Sequence, residues 1–213
     1  MPRIVVDAAK PESAALAEAV RAIRAGGVVA MPTDTFYGLA VDPFRQSAVE
    51  RLYALKGRES GKAVPLVAAD VAQVVDYLAP LTAQAIRLIA RFWPGPLTLL
   101  LAAPPTLSPA VSGGTGKVGV RVPGHAVARA LCRACGVPLT ASSANLAGAQ
   151  PSADPDEVEG ALGSLIDVLV DAGVTAGGPP STIVDVTGDA PILVRAGAIA
   201  WGEIEALAKR SGE

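Results

Sequence analysis

The stretch LKGRESGK places three cations, Lys56, Arg58 and Lys62, within seven residues that contain one acid, Glu59. Glycines within the stretch let the backbone bend and approach a ligand closely. An arginine can bind two phosphate oxygens at once and a lysine acts as a point charge, so the stretch suits a polyphosphate. A lysine at the end of a helix also interacts favourably with the helix dipole, so a solvated helix end is the alternative.

Further polar side chains lie where predicted strands end. Arg121 stands in an otherwise apolar strand, where an arginine is costly unless it pairs with an anion. Ligands collect at strand ends in open α/β sheets, so these side chains are candidates for a binding site. Structural ion pairs and ordinary loop caps are the alternatives. The other segments concerned are 33–37, 140–145, 180–182 and Arg195.

Three other signals do not support a site. The run GGTGK at 113–117 has Val111 where a Walker phosphate loop needs its first glycine, and Val118 where that loop needs serine or threonine. Cys132 and Cys135 have C-x-x-C spacing, but a structural zinc needs four ligands and His125, the only histidine, adds a third at most. We therefore predict no metal site, two thiols partly in the core, and a histidine that starts a helix and hydrogen-bonds the backbone.

Alternating helix and strand patterns predict a mixed α/β (α+β) fold in which helices cover a sheet, with residues 1–213 as one domain. Ser47 and Glu50 fit a capping box, and Asp70, Thr82 and Asp154 fit helix N-caps. Helices are predicted at 12–25, 47–56, 82–92, 125–135 and 204–209 and after positions 70 and 154. Strands are predicted at 28–31, 64–67, 97–101, 117–122, 137–141, 167–170, 182–186 and 192–195.

The composition excludes several classes of protein. Of the 213 residues, 51% are hydrophobic and 18% charged, which excludes a disordered chain. The net charge of −2 argues against a surface built for non-specific nucleic-acid binding. The chain starts without a secretory pattern and has no apolar run long enough to span a bilayer, so we expect a cytoplasmic protein without membrane contact.

Seven short motifs together resemble those of the YrdC-like threonylcarbamoyl-AMP synthases (the TsaC type, a single domain). They cover nearly the whole chain, in the order found in that family. The motifs are Pro32-Thr33-Asp34-Thr35-x-Tyr37-Gly38-Leu39; Lys56-x-Arg58 with Lys62; Phe92-Trp93-Pro94-Gly95-Pro96-Leu97-Thr98; Val120-Arg121-Val122-Pro123 with His125; Ser143-Ala144-Asn145-Leu146; Pro180-Ser181-Thr182-Ile183-Val184-Asp185; and Arg195-x-Gly197.

The resemblance implies a twisted mixed β-sheet flanked by helices around a concave, positively charged site. It implies a nucleotidyltransferase, an L-threonylcarbamoyladenylate synthase, that joins L-threonine, bicarbonate and ATP and releases pyrophosphate. Magnesium would accompany ATP. The product would serve a downstream tRNA threonylcarbamoyl transferase in the t6A modification of adenosine 37, with at most a weak contact between this chain and tRNA.

The resemblance also implies roles for individual residues. Lys56 and Arg58 would be catalytic, and Lys117 stands at a nucleotide-contact position where its residue type is unusual. Two positions depart from the family pattern: Glu59 stands where proline is frequent, and Ala147 replaces a serine. The threonine site would comprise Thr35, Arg121, Ala141 and Ser181. The ATP site would comprise Lys56, Arg58, Lys62, Lys117, Ser143, Asn145 and Arg195.

Three rival functions have distinct signatures. An RNA-binding module of the same fold would use a basic concavity for a phosphate backbone, but the acidic chain and scarce aromatics count against it. A carbamoyl-transfer domain of hydrogenase maturation proteins would sit in a longer chain with zinc-finger-like cysteines. A dihydroxybutanone-phosphate synthase would need a metal and acidic catalytic groups that the sequence does not suggest.

Overall fold

The structure, a computed structural model, describes residues 1–57 and 61–209. The strands are β1 Arg3–Val5, β2 Val29–Met31, β3 Gly38–Ala40, β4 Leu66–Val67, β5 Leu97–Ala102, β6 Lys117–Arg121, β7 Leu139–Thr140, β8 Ser142–Ser143, β9 Val168–Asp171, β10 Thr182–Asp185 and β11 Ile192–Arg195. The helices are α1 Ala17–Arg24, α2 Gln46–Lys56, α3 Val71–Tyr77, α4 Ala83–Phe92, α5 Ala126–Cys135, α6 Pro155–Leu162 and α7 Trp201–Lys209. Within these described ranges, no helix has the length and hydropathy that crossing a bilayer requires.

The strands form two mixed sheets, so the predicted α/β class is confirmed while the predicted single sheet is divided in two. The first sheet has five strands in the order β1-β9-β2-β3-β8, and the second has six in the order β11-β10-β5-β6-β4-β7. Each contains parallel and antiparallel pairs: β9 runs parallel to β2, whereas β5 runs antiparallel to β6.

The chain passes from one sheet to the other at Ala141. The sequence predicts a single strand at 137–141, but the structure has β7 in the six-stranded sheet and β8 in the five-stranded sheet. The Ala141 backbone N–H donates to the Pro65 carbonyl at 2.8 Å, and the Ala144 N–H donates to the Tyr37 carbonyl at 2.9 Å. Each half of the segment therefore satisfies its backbone groups in a different sheet, a tertiary effect without a local sequence signal.

Three of the predicted helix caps are confirmed. Asp70 accepts from the Gln73 N–H, Thr82 from the Ala85 N–H, and Asp154 from the Asp156 N–H. Each side-chain oxygen satisfies a backbone donor that the first helical turn leaves free.

The predicted capping box of Ser47 and Glu50 is wrong. Helix α2 begins at Gln46, and its N-cap residue Arg45 makes no side-chain capping bond. The Glu50 carboxylate instead accepts from Gln46 Nε2 at 2.7 Å, one helical turn away along the exposed face.

Element boundaries shift where local pattern and tertiary pairing disagree. Helix α1 begins five residues after the predicted start at 12, because 13–16 form turns. Strands β1 and β3 were not predicted. Both have three residues, too few for an alternating pattern, and their pairing with β9 and β2 defines them.

Two hydrophobic clusters hold the sheets and helices together. The larger includes Leu39, Leu66 and Leu99, and the smaller contains Cys132 and Cys135 on α5. Both thiols are buried, which confirms their predicted place in the core. Burial raises the pKa of Cys135 to about 11 and that of Cys132 still further, so neither thiol is a reactive thiolate at neutral pH.

Candidate functional site

A polar cavity of about 460 Å³ lies between residues of the two sheets. Among the described residues that line it are two arginines and no carboxylate, so the walls favour an anion. Its lining residues are Thr33, Thr35, Phe36, Tyr37, Gly38, Pro65, Leu66, Thr98, Arg121, Ala141, Ser142, Ser143, Gln150, Pro151, Gly178, Pro180, Ser181 and Arg195. All four residues predicted for threonine, and two predicted for ATP, are among them.

A second cavity of about 470 Å³ is lined largely by apolar groups, including Trp93, Val122 and the α5 residues Ala126 and Ala130. It contains none of the residues predicted to bind threonine or ATP. The polar cavity is therefore the candidate site, because it combines convergent hydroxyl, guanidinium and backbone groups.

The turn between β2 and β3 carries Thr35 into the cavity wall. Thr33 Oγ1 donates to the Phe36 carbonyl at 2.7 Å and closes the turn. The Thr35 carbonyl accepts from Thr175 Oγ1 at 2.7 Å and from the Gly177 N–H at 2.8 Å. These bonds hold the Thr35 backbone against 175–177. The turn therefore caps itself through Thr33, as the alternative expects, and it also bonds to a distant segment of the chain.

Arg121 is the last residue of β6, and its buried guanidinium forms an ion pair with an aspartate. Nη1 lies 2.8 Å from Asp34 Oδ2, and the two side chains are 10% and 17% exposed. Burial lowers the pKa of the Arg121 guanidinium, and the nearby Asp34 carboxylate opposes that shift. The ion-pair alternative raised for Arg121 is therefore present, yet the same residue also lines the cavity.

A hairpin joins Ser181 to Arg195. Ser181 directly precedes β10, Arg195 ends the antiparallel β11, and Arg195 Nη2 donates to the Ser181 carbonyl at 2.7 Å and to Ser181 Oγ at 3.1 Å. Thr98 on β5 is only 2% exposed, and its Oγ1 lies 2.8 Å from Ser181 Oγ. Three strands of one sheet therefore set the position of a single hydroxyl.

Lys56 ends α2 in a largely buried position, with 7% of its surface exposed. Its Nζ donates to the Ser143 carbonyl at 2.6 Å and to Asn145 Oδ1 at 2.9 Å. Ser143 Oγ also donates to Asn145 Oδ1, at 2.6 Å. The structure thus brings together a lysine and two polar side chains that are 87 and 89 positions away in the chain.

The other predicted ATP residues lie elsewhere. Lys62 is exposed and does not line the cavity. Lys117 Nζ forms an ion pair with Asp185 Oδ2 at 2.6 Å, at the opposite end of β6 from Arg121. Arg58, together with Glu59, falls outside the described residues. Of the predicted ATP residues, Ser143 and Arg195 line the cavity, and Lys56 and Asn145 bond to Ser143.

His125 is the N-cap residue of α5, as predicted. The prediction that it hydrogen-bonds the backbone is wrong for its ring atom Nδ1. Its backbone N–H donates to Asp34 Oδ1 at 2.6 Å, whereas its buried Nδ1 has no hydrogen-bond partner among the described residues. Burial lowers the pKa of the imidazole, with a weaker opposing effect from Asp34.

Sequence reasoning missed two residues that organise the cavity, Asp34 and Thr98. Both lie inside motifs used for the family resemblance, but neither was assigned a role. A threonine in the otherwise apolar strand 97–101 was the available signal for Thr98. For Asp34 the only local signal was an acid three residues after a buried strand, which ordinary turns also have.

Comparison with known proteins identifies relatives over most of the chain. The Sua5/YciO/YrdC family model, described as telomere recombination, matches residues 21–197. A threonylcarbamoyl-AMP synthase of Bacillus subtilis (strain 168) is 38% identical over 204 residues, which cover 95% of this chain and 59% of the relative. One of Halorhodospira halophila is 45% identical over 148 residues, which cover 70% of this chain and 78% of the relative.

Among solved structures, P. abyssi Sua5 complexed with L-threonine matches with a TM-score of 0.91 and 32% identity, over 97% of this chain and 61% of that chain. This chain thus spans about three fifths of the length of the B. subtilis and P. abyssi proteins. The family model includes every residue that lines the polar cavity. The chain therefore belongs to the Sua5/YciO/YrdC family, as its seven motifs predict.

Proposed function

We propose that this chain is an L-threonylcarbamoyladenylate synthase, a nucleotidyltransferase that forms threonylcarbamoyl-AMP and pyrophosphate from L-threonine, bicarbonate and ATP. One observation carries the proposal: the cavity gathers Thr35, Arg121, Ala141 and Ser181 in a chain that is 32% identical to a Sua5 protein crystallised with L-threonine. Curated relatives named threonylcarbamoyl-AMP synthase support the same activity.

The threonine part of the proposal assigns each group a contact. Arg121 would pair with the substrate carboxylate through guanidinium donors not used by Asp34, and a planar guanidinium suits that pairing. The hydroxyls of Thr35 and Ser181 would meet the polar groups of the amino acid, and Ala141 would lie against its carbon skeleton. The cluster of Thr98, Ser181 and Arg195 supports a fixed position for the Ser181 hydroxyl.

The ATP part rests on the cations beside the cavity. Lys56, Arg195 and the amide and hydroxyl of Asn145 and Ser143 would hold the nucleotide, with Arg58 and Lys62 on its phosphates. Magnesium would enter with the triphosphate. The sequence also predicts an ATP contact from Lys117, but its ion pair with Asp185 weighs against that contact.

In the proposed reaction the threonine amine attacks the carbon of bicarbonate, and a carbamate forms with loss of water. If carbon dioxide is the electrophile, the amine loses a proton instead and no water is released. A carbamate oxygen then attacks the α-phosphorus of ATP, and pyrophosphate leaves. Negative charge spreads over the phosphate oxygens, where positioned cations stabilise the transition state. Holding two substrates in one cavity supplies much of the remaining acceleration.

Residues 1–213 would act as one domain, because both sheets contribute walls to the same cavity. The product would pass to a tRNA threonylcarbamoyl transferase for t6A formation, and a cytoplasmic location suits that pathway.

The deciding experiment incubates the purified chain with ATP, magnesium, bicarbonate and L-threonine. We expect threonine-dependent pyrophosphate release and an adenylate detectable by mass spectrometry. Arg58→Ala should lower the rate at least about 100-fold, since removing one positioned charge commonly costs that much. Arg51→Ala is the control: Arg51 lies on α2 and pairs with Asp167 at the surface, and such pairs contribute about 1 kcal/mol or less.

Two results would contradict the proposal. One is wild-type protein that releases no pyrophosphate when threonine is added. The other is tight, salt-sensitive RNA binding without turnover, the outcome expected of an RNA-binding module.

A further inference from the structure

Asp34 connects the Thr35 turn, the end of β6 and the start of α5. Its Oδ2 accepts from Arg121 Nη1 at 2.8 Å, and its Oδ1 accepts from the His125 backbone N–H at 2.6 Å. A side chain at position 124 would crowd this carboxylate, because a Cβ on Gly124 would lie 3.0 Å from Oδ1. Asp34 itself is not among the residues that line the polar cavity.

These two bonds restrict the orientation of the Arg121 guanidinium. The group is planar, so a fixed contact at Nη1 limits the directions in which its other donors can point. Within the described residues, no other hydrogen bond of the Arg121 side chain is found. Nη2 and Nε therefore have no protein acceptor in this part of the chain, while Arg121 lines the cavity.

We infer that Asp34 is a positioning residue, which holds Arg121 in the orientation that binds the carboxylate of an amino-acid substrate. The inference rests on the proposed function in taking that substrate to be L-threonine. Asp34 also compensates the buried charge of Arg121 before substrate arrives. The substrate then meets a guanidinium whose orientation is already restricted, so less conformational freedom is lost on binding.

Asp34→Asn tests the carboxylate of Asp34 while keeping the size of the side chain nearly unchanged. A carboxylate accepts from both Arg121 and His125, whereas an amide has one acceptor oxygen and one donor nitrogen. One of the two contacts must therefore become donor against donor, and the link between Arg121 and α5 is lost. We expect the Kd for L-threonine, measured by calorimetry without ATP, to rise about tenfold.

Turnover provides a second readout that a general loss of stability would not reproduce. The KM for threonine should rise about as much as the Kd, whereas the KM for ATP and the kcat at saturating threonine should stay within about twofold. Asp34→Ser removes the charge with a smaller side chain and serves as a second variant if the asparagine variant does not fold.

Asp70→Asn is a closely matched control. Asp70 also accepts from a backbone N–H, that of Gln73 at 3.0 Å, and also pairs with an arginine, Arg133 at 3.3 Å. The same chemical change there should leave the threonine Kd within twofold of wild type.

A double-mutant cycle tests whether Asp34 acts through Arg121. Arg121→Gln alone should weaken threonine binding, and adding Asp34→Asn should weaken it by less than a further twofold, since coupled residues are not additive. Additive effects, an equal rise in the KM for ATP, or normal threonine affinity in the Asp34 variants would overturn the inference. The proposed function fails separately, if wild-type protein binds threonine and forms no adenylate.

Discussion

Lys56 offers the sharpest test of whether the cavity is built for stability or for chemistry. We consider Lys56→Met, which keeps a long apolar stem and removes the ammonium. That ammonium makes hydrogen bonds of 2.6 Å and 2.9 Å to the Ser143 carbonyl and Asn145 Oδ1. Both acceptors keep another donor: the Asn145 N–H lies 3.0 Å from the Ser143 carbonyl, and Ser143 Oγ lies 2.6 Å from Asn145 Oδ1.

The opposing contributions to stability nearly cancel. The two shortest hydrogen bonds of the ammonium contribute about 3–6 kcal/mol together, and burying an ammonium costs several kcal/mol in return. Since neither acceptor loses all its donors, we expect the free energy of unfolding to change by less than about 2 kcal/mol, or about 8 °C in Tm at most for a chain of this size. Pyrophosphate release should fall about 10²–10³-fold, the usual effect of removing one electrostatic group from a transition state.

The assay pairs urea unfolding with pyrophosphate release on the same preparations. Lys56→Ala serves as the companion variant: it loses the buried stem as well, and should cost about 2 kcal/mol more than the methionine variant. If Lys56→Met lost more than about 3 kcal/mol of stability, the lysine would be structural. If it turned over like wild type, the lysine would have no part in the reaction.

Three further predictions concern residues around the site. His125→Asn should make the stability of the protein less sensitive to acid. Burial and Arg129 lower the pKa of this only histidine, so the unfolded chain binds the proton more tightly and wild-type stability should fall as the pH drops below about 6.5. Melting temperatures that differ between pH 7.5 and pH 5.5 by the same amount in both proteins would contradict this. Gly197→Ala should weaken threonine binding and lower the free energy of unfolding by about 1–3 kcal/mol, because a Cβ there would overlap the Pro180 carbonyl and lie 2.5 Å from the Ser181 carbonyl carbon. The control is Gly202→Ala in α7, where nothing lies within 4 Å of the added Cβ; it should be neutral or slightly stabilising. Lys117→Met should leave the KM for ATP within about twofold, since this lysine pairs with Asp185 at 2.6 Å; a clear rise in that KM would instead support the ATP contact predicted from sequence.

Local chemistry determined much of the secondary structure. The caps at Asp70, Thr82 and Asp154 were predictable because a short polar side chain satisfies a backbone N–H only a few residues away. The same reasoning was wrong for Ser47 and Glu50, where helix α2 starts at Gln46 without a capping side chain. Short strands such as β1 and β3 could not be predicted, because long-range partners define them.

The sequence by itself determined which residue types the site uses: hydroxyls, arginines and a lysine–arginine stretch, in motifs whose order predicts the family. Only the tertiary structure decided which of them meet. The passage between sheets at Ala141 brings Ser143 beside Lys56, and Asp34 joins Arg121 across 87 positions of the chain. Such contacts depend on sheet pairing and burial, which no local pattern encodes. For the same reason Lys117, for which the sequence predicts an ATP contact, forms an ion pair with Asp185 away from the cavity.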